Sequence, residues 1–290
     1  MPLIPPLSPR SPFYTHVLEA NNILSPKTNI TLNNENHYMT WLLSVSPNEA
    51  GEVEFKNTEG HYVTYMYMGT PDPEQLAYVT FDTRSGLTWF QCERHDASKY
   101  PWFNRTKSQS YNMIWCDDEQ KCITSKIIKG CEDCEGRGRI PCTFSVRYED
   151  GGQAKGVMGI KNTVFKIRQE KYLINFRFGR SLENNLKGMG IIGGGNNVYS
   201  LPNQLYTDDP RFSYCISRDQ TQINFVEFGP DANLIGQAYN MTKNPHTEFY
   251  YLDVRGITMD FECLDMAEDV FKMSEYGTQG FIIDSGSTIT

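Results

Sequence analysis

The chain has 290 residues, of which 39% are hydrophobic, 13% aromatic and 21% charged, so it can build a core and is not a disordered chain. Its formal net charge is −8, with acidic and basic residues mixed along the sequence, which argues against nucleic-acid binding. No apolar run approaches the length of a transmembrane helix.

The first half of the chain changes character near residue 59. Residues 1–58 are polar and rich in Asn and Pro, which predicts a loosely held, propeptide-like leader. The predicted elements that follow are a strand over 61–68, a turn over 69–73, a strand over 75–81, an irregular cysteine-rich insertion over 92–142 and a hairpin over 142–160. The alternating aromatic pattern of these segments favours strands.

The second half continues in short apolar segments. Strands are predicted over 172–178, 190–194, 212–216, 223–228 and 249–254, with one short helix over 200–205. Ser200 is a plausible N-cap for that helix. The pattern indicates a β-rich, two-lobed protein with a leader (1–58), an N-terminal lobe (59–205) and a partial C-terminal lobe (206–290).

Six of the eight cysteines fall within residues 92–142. The eight are Cys92, Cys116, Cys122, Cys131, Cys134, Cys142, Cys215 and Cys263. The CxxC at 131–134 leaves a zinc site open, but the spacings do not repeat, so a disulfide-stapled loop is favoured. Their pairing does not follow from the sequence.

Three Asn-x-Ser/Thr sequons, at Asn29, Asn104 and Asn240, are candidate glycosylation sites. Together with the cysteines they favour the secretory pathway. The first residues have no basic region and no long apolar core, so they show no signal peptide. Either the chain is cytosolic or its true start is missing.

Two segments look like copies of one another. Residues 78–88 and 280–290 each contain an apolar strand-like run, an Asp, a hydroxyl residue, small or polar residues, and then an apolar residue and Thr. Asp82 and Asp284 occupy the same place, about 200 residues apart. Two lobes that each deliver one carboxylate can form a pair that shares a proton, so that one member activates water and the other polarises a carbonyl.

These residues resemble the pepsin-like aspartic peptidases (peptidase family A1), specifically their plant nepenthesin-like branch. The family motif Asp-Thr-Gly-Ser, a polar residue and Leu-Thr-Trp is matched over 82–89, and the second motif is matched over 284–287. Further matches are the Gly-Thr-Pro turn at 69–71, the cysteine-rich insertion, the flap hairpin, the apolar-Gly segment 190–193 and the Phe-Ser-Tyr-Cys segment 212–215. The similarity runs in order from about residue 8 to the end.

The resemblance implies an all-β, bilobal, pepsin-like double barrel with a cleft between the lobes and an incomplete second lobe. Asp82 and Asp284 would be the catalytic pair. Thr83, Ser285 and Gly286 would support it, and Tyr148 would close the flap over the substrate. It implies hydrolysis of a polypeptide by a monomeric aspartic endopeptidase, extracellular or vacuolar, without metal or organic cofactor.

The chain departs from the family pattern in three places. Arg84 replaces a Gly, where a long cation could clash, block the cleft or lower the pKa of Asp82. Gly86 replaces a polar residue, and the sequence stops at Thr290. Two other hypotheses therefore stay open: an inactive homologue that binds peptides or proteins as an inhibitor-like protein, and a truncated product without function.

Overall fold

The computed structural model describes residues 2–3, 63–68, 75–92, 101–130, 139–167, 170–186, 189–215, 224–229, 232, 238–259, 261–267 and 269–286. The predicted leader apart from Pro2–Leu3, the turn at 69–73, the sequon at Asn29 and the CxxC lie outside these residues. None of the helices in the described ranges is long and apolar enough to cross a membrane.

Strands account for nearly all of the regular structure. They are β1 (Pro2–Leu3), β2 (Val63–Met68), β3 (Gln75–Asp82), β4 (Trp89–Gln91), β5 (Asn112–Met113), β6 (Ile128–Lys129), β7 (Thr143–Arg147), β8 (Gln153–Ile167), β9 (Glu170–Asn184), β10 (Gly190–Gly193), β11 (Phe212–Cys215), β12 (Asn224–Phe228), β13 (Tyr251–Leu252), β14 (Thr258–Met259), β15 (Glu262–Cys263) and β16 (Phe281–Ile282). Helices in the described residues are limited to α1 (Leu201–Leu205) and a 3₁₀ turn at Arg105–Lys107. The all-β prediction is confirmed.

Nine strands form the main sheet, in the order β2-β3-β10-β4-β9-β8-β7-β6, with β5 paired to β8. β10 runs parallel to β3, and β4 runs parallel to β9. β3 has the antiparallel β2 on one side and the parallel β10 on the other. This central position in the sheet fits its apolar sequence. This sheet carries the first Asp motif at the end of β3.

The longest strands are β8 and β9, which pair along their whole length as one hairpin. The sequence predicted only the apolar portions of this pair, over 156–160 and 172–178. The ladder continues beyond these portions because the backbone N–H and C=O groups of both strands go on pairing. β7 pairs with the beginning of β8 to make the predicted flap hairpin.

Smaller sheets lie beside the main one. β12 pairs with β11 and with the two-residue β1, while β13 pairs with β16 and β14 pairs with β15. The predicted strand over 249–254 is shorter than expected, because only Tyr251 and Leu252 pair with β16. Two residue pairs make a weak ladder, so the second motif rests on less sheet than the first.

Aromatic side chains join the small β11–β12 sheet to the main sheet. The ring of Phe81 contacts Phe212 at 5.7 Å and Phe228 at 6.3 Å between centroids, both edge-on. Phe81 is fully buried and comes directly before Asp82. This packing fixes the end of β3, and with it the backbone of the first motif.

The cysteine-rich insertion contributes to both core clusters. Phe103 packs in the cluster that contains Phe81, whereas Ile114 and Ile128 pack in the cluster around Trp89. Cys122 and Cys142 form a disulfide, and Cys116 is also disulfide-bonded. The described part of the insertion therefore has the disulfide staple that the sequence favoured over zinc.

Candidate active site

The first Asp lies where β3 leaves the main sheet. β10 runs parallel beneath it, with Gly193 opposite Asp82, and the Gly194 N–H donates to the Asp82 carbonyl at 2.8 Å. The Ser85 N–H donates to the same carbonyl at 3.3 Å and closes a turn. An added Cβ at Gly193 would lie 2.6 Å from the Ser85 carbonyl, so the close passage of β10 requires glycine there.

The second Asp lies just beyond β16. The Ile283 N–H donates to the Tyr250 carbonyl at 3.0 Å, which extends the β13–β16 contact by one bond. Tyr250 in turn donates its hydroxyl to the Gly194 carbonyl at 2.9 Å. The segment that supports Asp284 is thereby tied to the strand that supports Asp82.

Four hydrogen bonds cross between the two motifs. The Thr83 N–H donates to Ser285 Oγ at 3.0 Å, and the Ser285 N–H donates to Thr83 Oγ1 at 2.9 Å. The Thr83 hydroxyl donates to the Ile283 carbonyl at 3.0 Å, and the Ser285 hydroxyl donates to the Phe81 carbonyl at 3.2 Å. Each bond has its counterpart under exchange of the two motifs, so the motifs are related by a local pseudo-two-fold axis.

The two carboxylates converge at this axis. The Arg84 N–H donates to Asp82 Oδ1 and the Gly286 N–H donates to Asp284 Oδ1, both at 2.8 Å. A Cβ on Gly286 would lie 3.0 Å from Asp82 Oδ1 and 3.2 Å from Asp284 Oδ1. Both carboxylates thus border one small space, in which an added Cβ would be tightly packed against the pair.

Burial shifts the titration of Asp82, whose side chain is only 7% exposed. Its pKa rises from 3.8 to about 6, first because burial disfavours the charged form. The Arg84 N–H lowers the pKa, the nearby Asp284 raises it, and the charge of Arg84 lowers it. The expectation that Arg84 would depress this pKa identified the direction of one influence, but burial outweighs it.

The Arg84 side chain lies between the flap and the second Asp. Its Nη2 donates to Glu149 Oε1 at 2.7 Å, and its Nη1 is 3.8 Å from Asp284 Oδ2. Its Cζ stands 5.0 Å from the centroid of the Phe249 ring. Its backbone N–H still holds Asp82 as a glycine would, so the substitution changes what occupies the cleft and leaves the backbone contact in place.

The flap is a tight hairpin turn that carries Tyr148 and Glu149. The Tyr148 N–H donates to the Gly152 carbonyl at 2.7 Å, and Gly151 has φ +85°. The Trp89 Nε1–H donates to the Tyr148 hydroxyl at 2.8 Å, while Ser85 Oγ lies 3.5 Å from it. The flap tyrosine is therefore anchored to residues of the first Asp motif.

A third acid, Glu248, stands behind the first motif. It fills the space where a side chain at Gly86 would be: a Cβ there would lie 2.0 Å from Glu248 Oε2. The carboxyl accepts hydrogen bonds from the Asn197 amide and from the Gly86 N–H. Burial raises its pKa, and these two hydrogen bonds lower it.

Sequence reasoning brought forward Asp82, Asp284, Thr83, Ser285, Gly286 and Tyr148, and the structure places all six at this site. It missed Glu149, Phe249 and Glu248. Glu149 could have been found from its place beside the flap tyrosine. Glu248 and Phe249 carry no such signal, because a distant segment of the chain brings them to the first motif.

Two predicted modification sites lie in described residues. Asn240 is exposed, whereas Asn104 is half-buried and caps the 3₁₀ turn by accepting the Thr106 N–H at 3.0 Å. No group of three or more His, Cys, Asp or Glu side chains in the described ranges could hold a metal ion.

Known sequences similar to this chain come from plants. It is 29% identical to aspartic proteinase nepenthesin-2 of Nepenthes gracilis over 246 residues, which cover 80% of this chain and 52% of that protein. It is 30% identical to aspartyl protease AED1 of Arabidopsis thaliana over 274 residues, covering 85% and 54%. The chain spans about half the length of the curated relatives it matches.

Solved structures show the same fold. Conglutin gamma from lupine seeds matches with a TM-score of 0.52 at 15% identity, covering 74% of this chain and 61% of that one. Basic 7S globulin from soybean matches with a TM-score of 0.50 at 17% identity, covering 70% and 58%. At these identities the likeness concerns the pepsin-like fold alone.

The family described as "Xylanase inhibitor N-terminal" matches residues 62–230, which is more than half of the chain. This range contains the first Asp motif, the insertion and the flap. With that match and the plant aspartic proteases, the chain belongs to the pepsin-like aspartic peptidases, in their plant nepenthesin-like branch.

Proposed function

We propose that the protein is an aspartic endopeptidase that hydrolyses peptide bonds with a water molecule activated between Asp82 and Asp284. The observation that carries this proposal is the convergence of both carboxylates on Gly286, held by matching N–H donors at 2.8 Å. Two carboxylates beside one small space can share a proton and act on one water.

The environment assigns a role to each acid. Asp82, whose pKa is about 6, holds the shared proton at acid pH and donates it to the carbonyl oxygen of the scissile bond. Asp284, the acid nearer to the Arg84 guanidinium, accepts a proton from the attacking water. The carbon–nitrogen bond then breaks as that proton passes to the leaving nitrogen, while a hydroxyl of the tetrahedral intermediate returns its proton to Asp82. No covalent bond to the protein forms.

The substrate is an extended polypeptide that lies across the cleft beneath Tyr148. We propose a monomer of the secretory pathway, extracellular or vacuolar. The Cys122–Cys142 disulfide supports this compartment, because disulfides persist in oxidising environments.

The test is hydrolysis of a denatured protein at acid pH by the purified 290-residue chain. Asp82→Asn and Asp284→Asn should each reduce the rate about 10³-fold or more, because each removes one half of the acid–base pair. A transition-state mimic of amide hydrolysis should block the activity. Asp253→Asn, at a side chain that is 73% exposed, is the matched control and should cleave normally.

Absence of cleavage, or cleavage that survives Asp82→Asn, would contradict the proposal. The second candidate is an inactive homologue that binds peptides or proteins, and the Arg84 guanidinium in the cleft favours it. The family description names xylanase inhibition, which is also a binding activity. Binding of a polypeptide without cleavage would support this candidate, and cleavage that appears only on Arg84→Gly would identify Arg84 as the block.

A further inference from the structure

A half-buried positive charge borders the cleft. The Arg84 side chain is 30% exposed, and its guanidinium stands between Glu149 of the flap and Asp284. The Phe249 ring borders it at 5.0 Å, which adds a cation–π contact and limits where the guanidinium can move. The cation is thus held at the position over which a bound polypeptide would pass.

The flap partner of this cation is weakly held. Glu149 has a side chain that is 77% exposed and stands next to the hairpin turn. An ion pair at such exposure contributes little to stability, so an equivalent carboxylate can replace it readily. Glu149 belongs to the flap and Arg84 to the first motif, so a flap movement that admits a polypeptide would separate the two side chains.

The contact with Asp284 does not replace what the flap provides. Its Nη1–Oδ2 distance of 3.8 Å is beyond hydrogen-bonding range, and the Asp284 Oδ1 atom already accepts the Gly286 N–H. A guanidinium presents five N–H donors in a planar fork that fits a carboxylate in a bidentate manner. The opened cleft therefore presents a cation whose matching ligand is a carboxylate.

We propose that Arg84 forms a subsite for an acidic side chain of the bound polypeptide, a Glu or Asp whose carboxylate takes the place of Glu149. This rests on the proposed binding of a polypeptide across the cleft, and it names the substrate class: chains with an acidic residue beside the bond that lies over Asp82 and Asp284. Family members with glycine at this position lack the cation, so the preference belongs to this chain.

The test is a binding comparison between peptides that differ only by Glu or Gln at one central position, with the acid moved along the peptide in a series. Fluorescence anisotropy is measured on the full chain carrying Asp82→Asn, which prevents hydrolysis but keeps an oxygen that accepts the Arg84 N–H. A pH of about 5.5 keeps the peptide Glu ionised, since its ordinary pKa is about 4.3.

At the best position the Glu peptide should bind about tenfold more tightly than the Gln peptide, as is typical of charge-assisted hydrogen bonds. Arg84→Gly should bring that ratio to about one, and Arg84→Lys should keep part of it as a point charge. Arg255→Gly, at a side chain that is 88% exposed, is the matched control and should leave the ratio unchanged.

A second variant removes the competitor and does not touch the cation. Glu149→Gln should strengthen binding of the Glu peptide about threefold, because the exposed ion pair between Arg84 and Glu149 no longer opposes it. Binding of the Gln peptide should not change. Glu149→Gln tests the subsite even if Arg84→Gly folds poorly.

The outcomes separate the subsite from the proposed activity. Equal binding of the two peptides at every position, a preference that survives Arg84→Gly, or no binding of either peptide overturns the subsite. A preference for Glu in a chain that never cleaves refutes the endopeptidase and keeps the subsite. Cleavage without any preference for the acidic residue would keep the endopeptidase and refute the subsite.

Discussion

The two Asp motifs share one hydrogen-bond pattern but rest on very different support. Asp82 ends an eight-residue strand that has neighbours on both sides and is 7% exposed. Asp284 follows a two-residue strand and has a side chain that is 17% exposed. The local sequence specifies the crossed hydrogen bonds, whereas burial and charge come from whatever packs around each motif.

The two motifs also differ at their third position, which is Arg84 in the first and Gly286 in the second. At Gly286 an added Cβ would lie 3.0 Å from Asp82 Oδ1 and 3.2 Å from Asp284 Oδ1, so a side chain there would fit tightly. Arg84, at the equivalent place, has turned its side chain to Glu149 and Asp284. The pair therefore has backbone symmetry without electrostatic symmetry, and each prediction below tests one part of that contrast.

The largest expected effect is on the pH dependence of stability. Because the folded-state pKa of Asp82 is about 6 against 3.8 ordinarily, the native state binds this proton more tightly than the unfolded state. The free energy of unfolding should fall as pH rises between these values, and lie about 3 kcal/mol lower above them. Asp82→Asn should remove this loss, as measured by denaturant unfolding across that range.

Below the lower of these pKa values, Asp82→Asn and the unaltered chain should have similar stability, because the carboxyl is then neutral in both states. Asp253→Asn removes the same charge from an exposed site and should not change the slope of stability with pH. A slope that Asp82→Asn leaves intact would show that Asp82 titrates normally.

The crossed hydrogen bonds should be next in size. Ser285→Ala leaves the Thr83 N–H and the Phe81 carbonyl unpaired, both in fully buried residues, and should cost about 2 kcal/mol. Thr83→Val leaves the Ser285 N–H and the Ile283 carbonyl unpaired and should cost about 1 kcal/mol, since water can reach the half-buried second motif. Thermal or denaturant unfolding measures both.

The double variant sharpens this result. The two side chains belong to one network, so the combined loss should differ from the sum of the single losses. Thr163→Val is the matched control, because Thr163 is also fully buried but its hydroxyl donates only locally, to the Lys161 carbonyl at 3.3 Å. Equal costs for Thr83→Val and Thr163→Val would mean that the inter-motif bonds contribute nothing.

Much of this site follows from the sequence, because short-range patterns determine it. The run from Gln75 to Asp82 predicts a strand that ends in an acid, and the repeat near Asp284 predicts its partner. The Asp-Gly turn predicts the flap. Such features depend on neighbours along the chain, and the structure reproduces them.

Features that depend on distant packing could not be predicted. The approach of Glu248 to Gly86 joins segments far apart in sequence, with no pattern common to both. The Phe249–Tyr250 pair was expected in a strand, yet these residues lie outside β13, and Tyr250 instead bonds to the Gly194 carbonyl. The direction of the Arg84 side chain likewise depends on Glu149 and Phe249.

The close contact between Gly86 and Glu248 joins the first motif to a distant segment of the chain, and substitution of Gly86 tests it. Gly86→Ser would place a Cβ 2.0 Å from Glu248 Oε2 and 2.7 Å from the Asn197 Cβ, and should cost about 1.5 kcal/mol. In a Glu248→Ala background the first collision disappears, so the same change should cost about half as much. The free energies of unfolding of the unaltered chain, the two single variants and the double variant form a double-mutant cycle.

Gly256→Ser is the matched control, since nothing lies within 4 Å of a Cβ there and its backbone is not left-handed. It should leave stability nearly unchanged. If Glu248→Ala gave no relief, the collision at Gly86 would lie with Asn197 instead.

The smallest effect on stability, and the most direct test of electrostatic asymmetry, is Arg84→Gly. Losing a partly exposed ion pair should cost under about 1 kcal/mol, while the N–H to Asp82 stays in place. The charge of Arg84 lowers the pKa of Asp82, so its removal should raise that pKa further. Carboxyl titration followed by NMR measures the shift, with Arg255→Gly as the control for net charge.

Arg84→Lys should keep most of the lowering of the Asp82 pKa, because a cation remains. A pKa of Asp82 that is the same with Arg or Gly at position 84 would mean that the guanidinium acts only on Glu149 and Asp284, and that burial alone distinguishes the two acids.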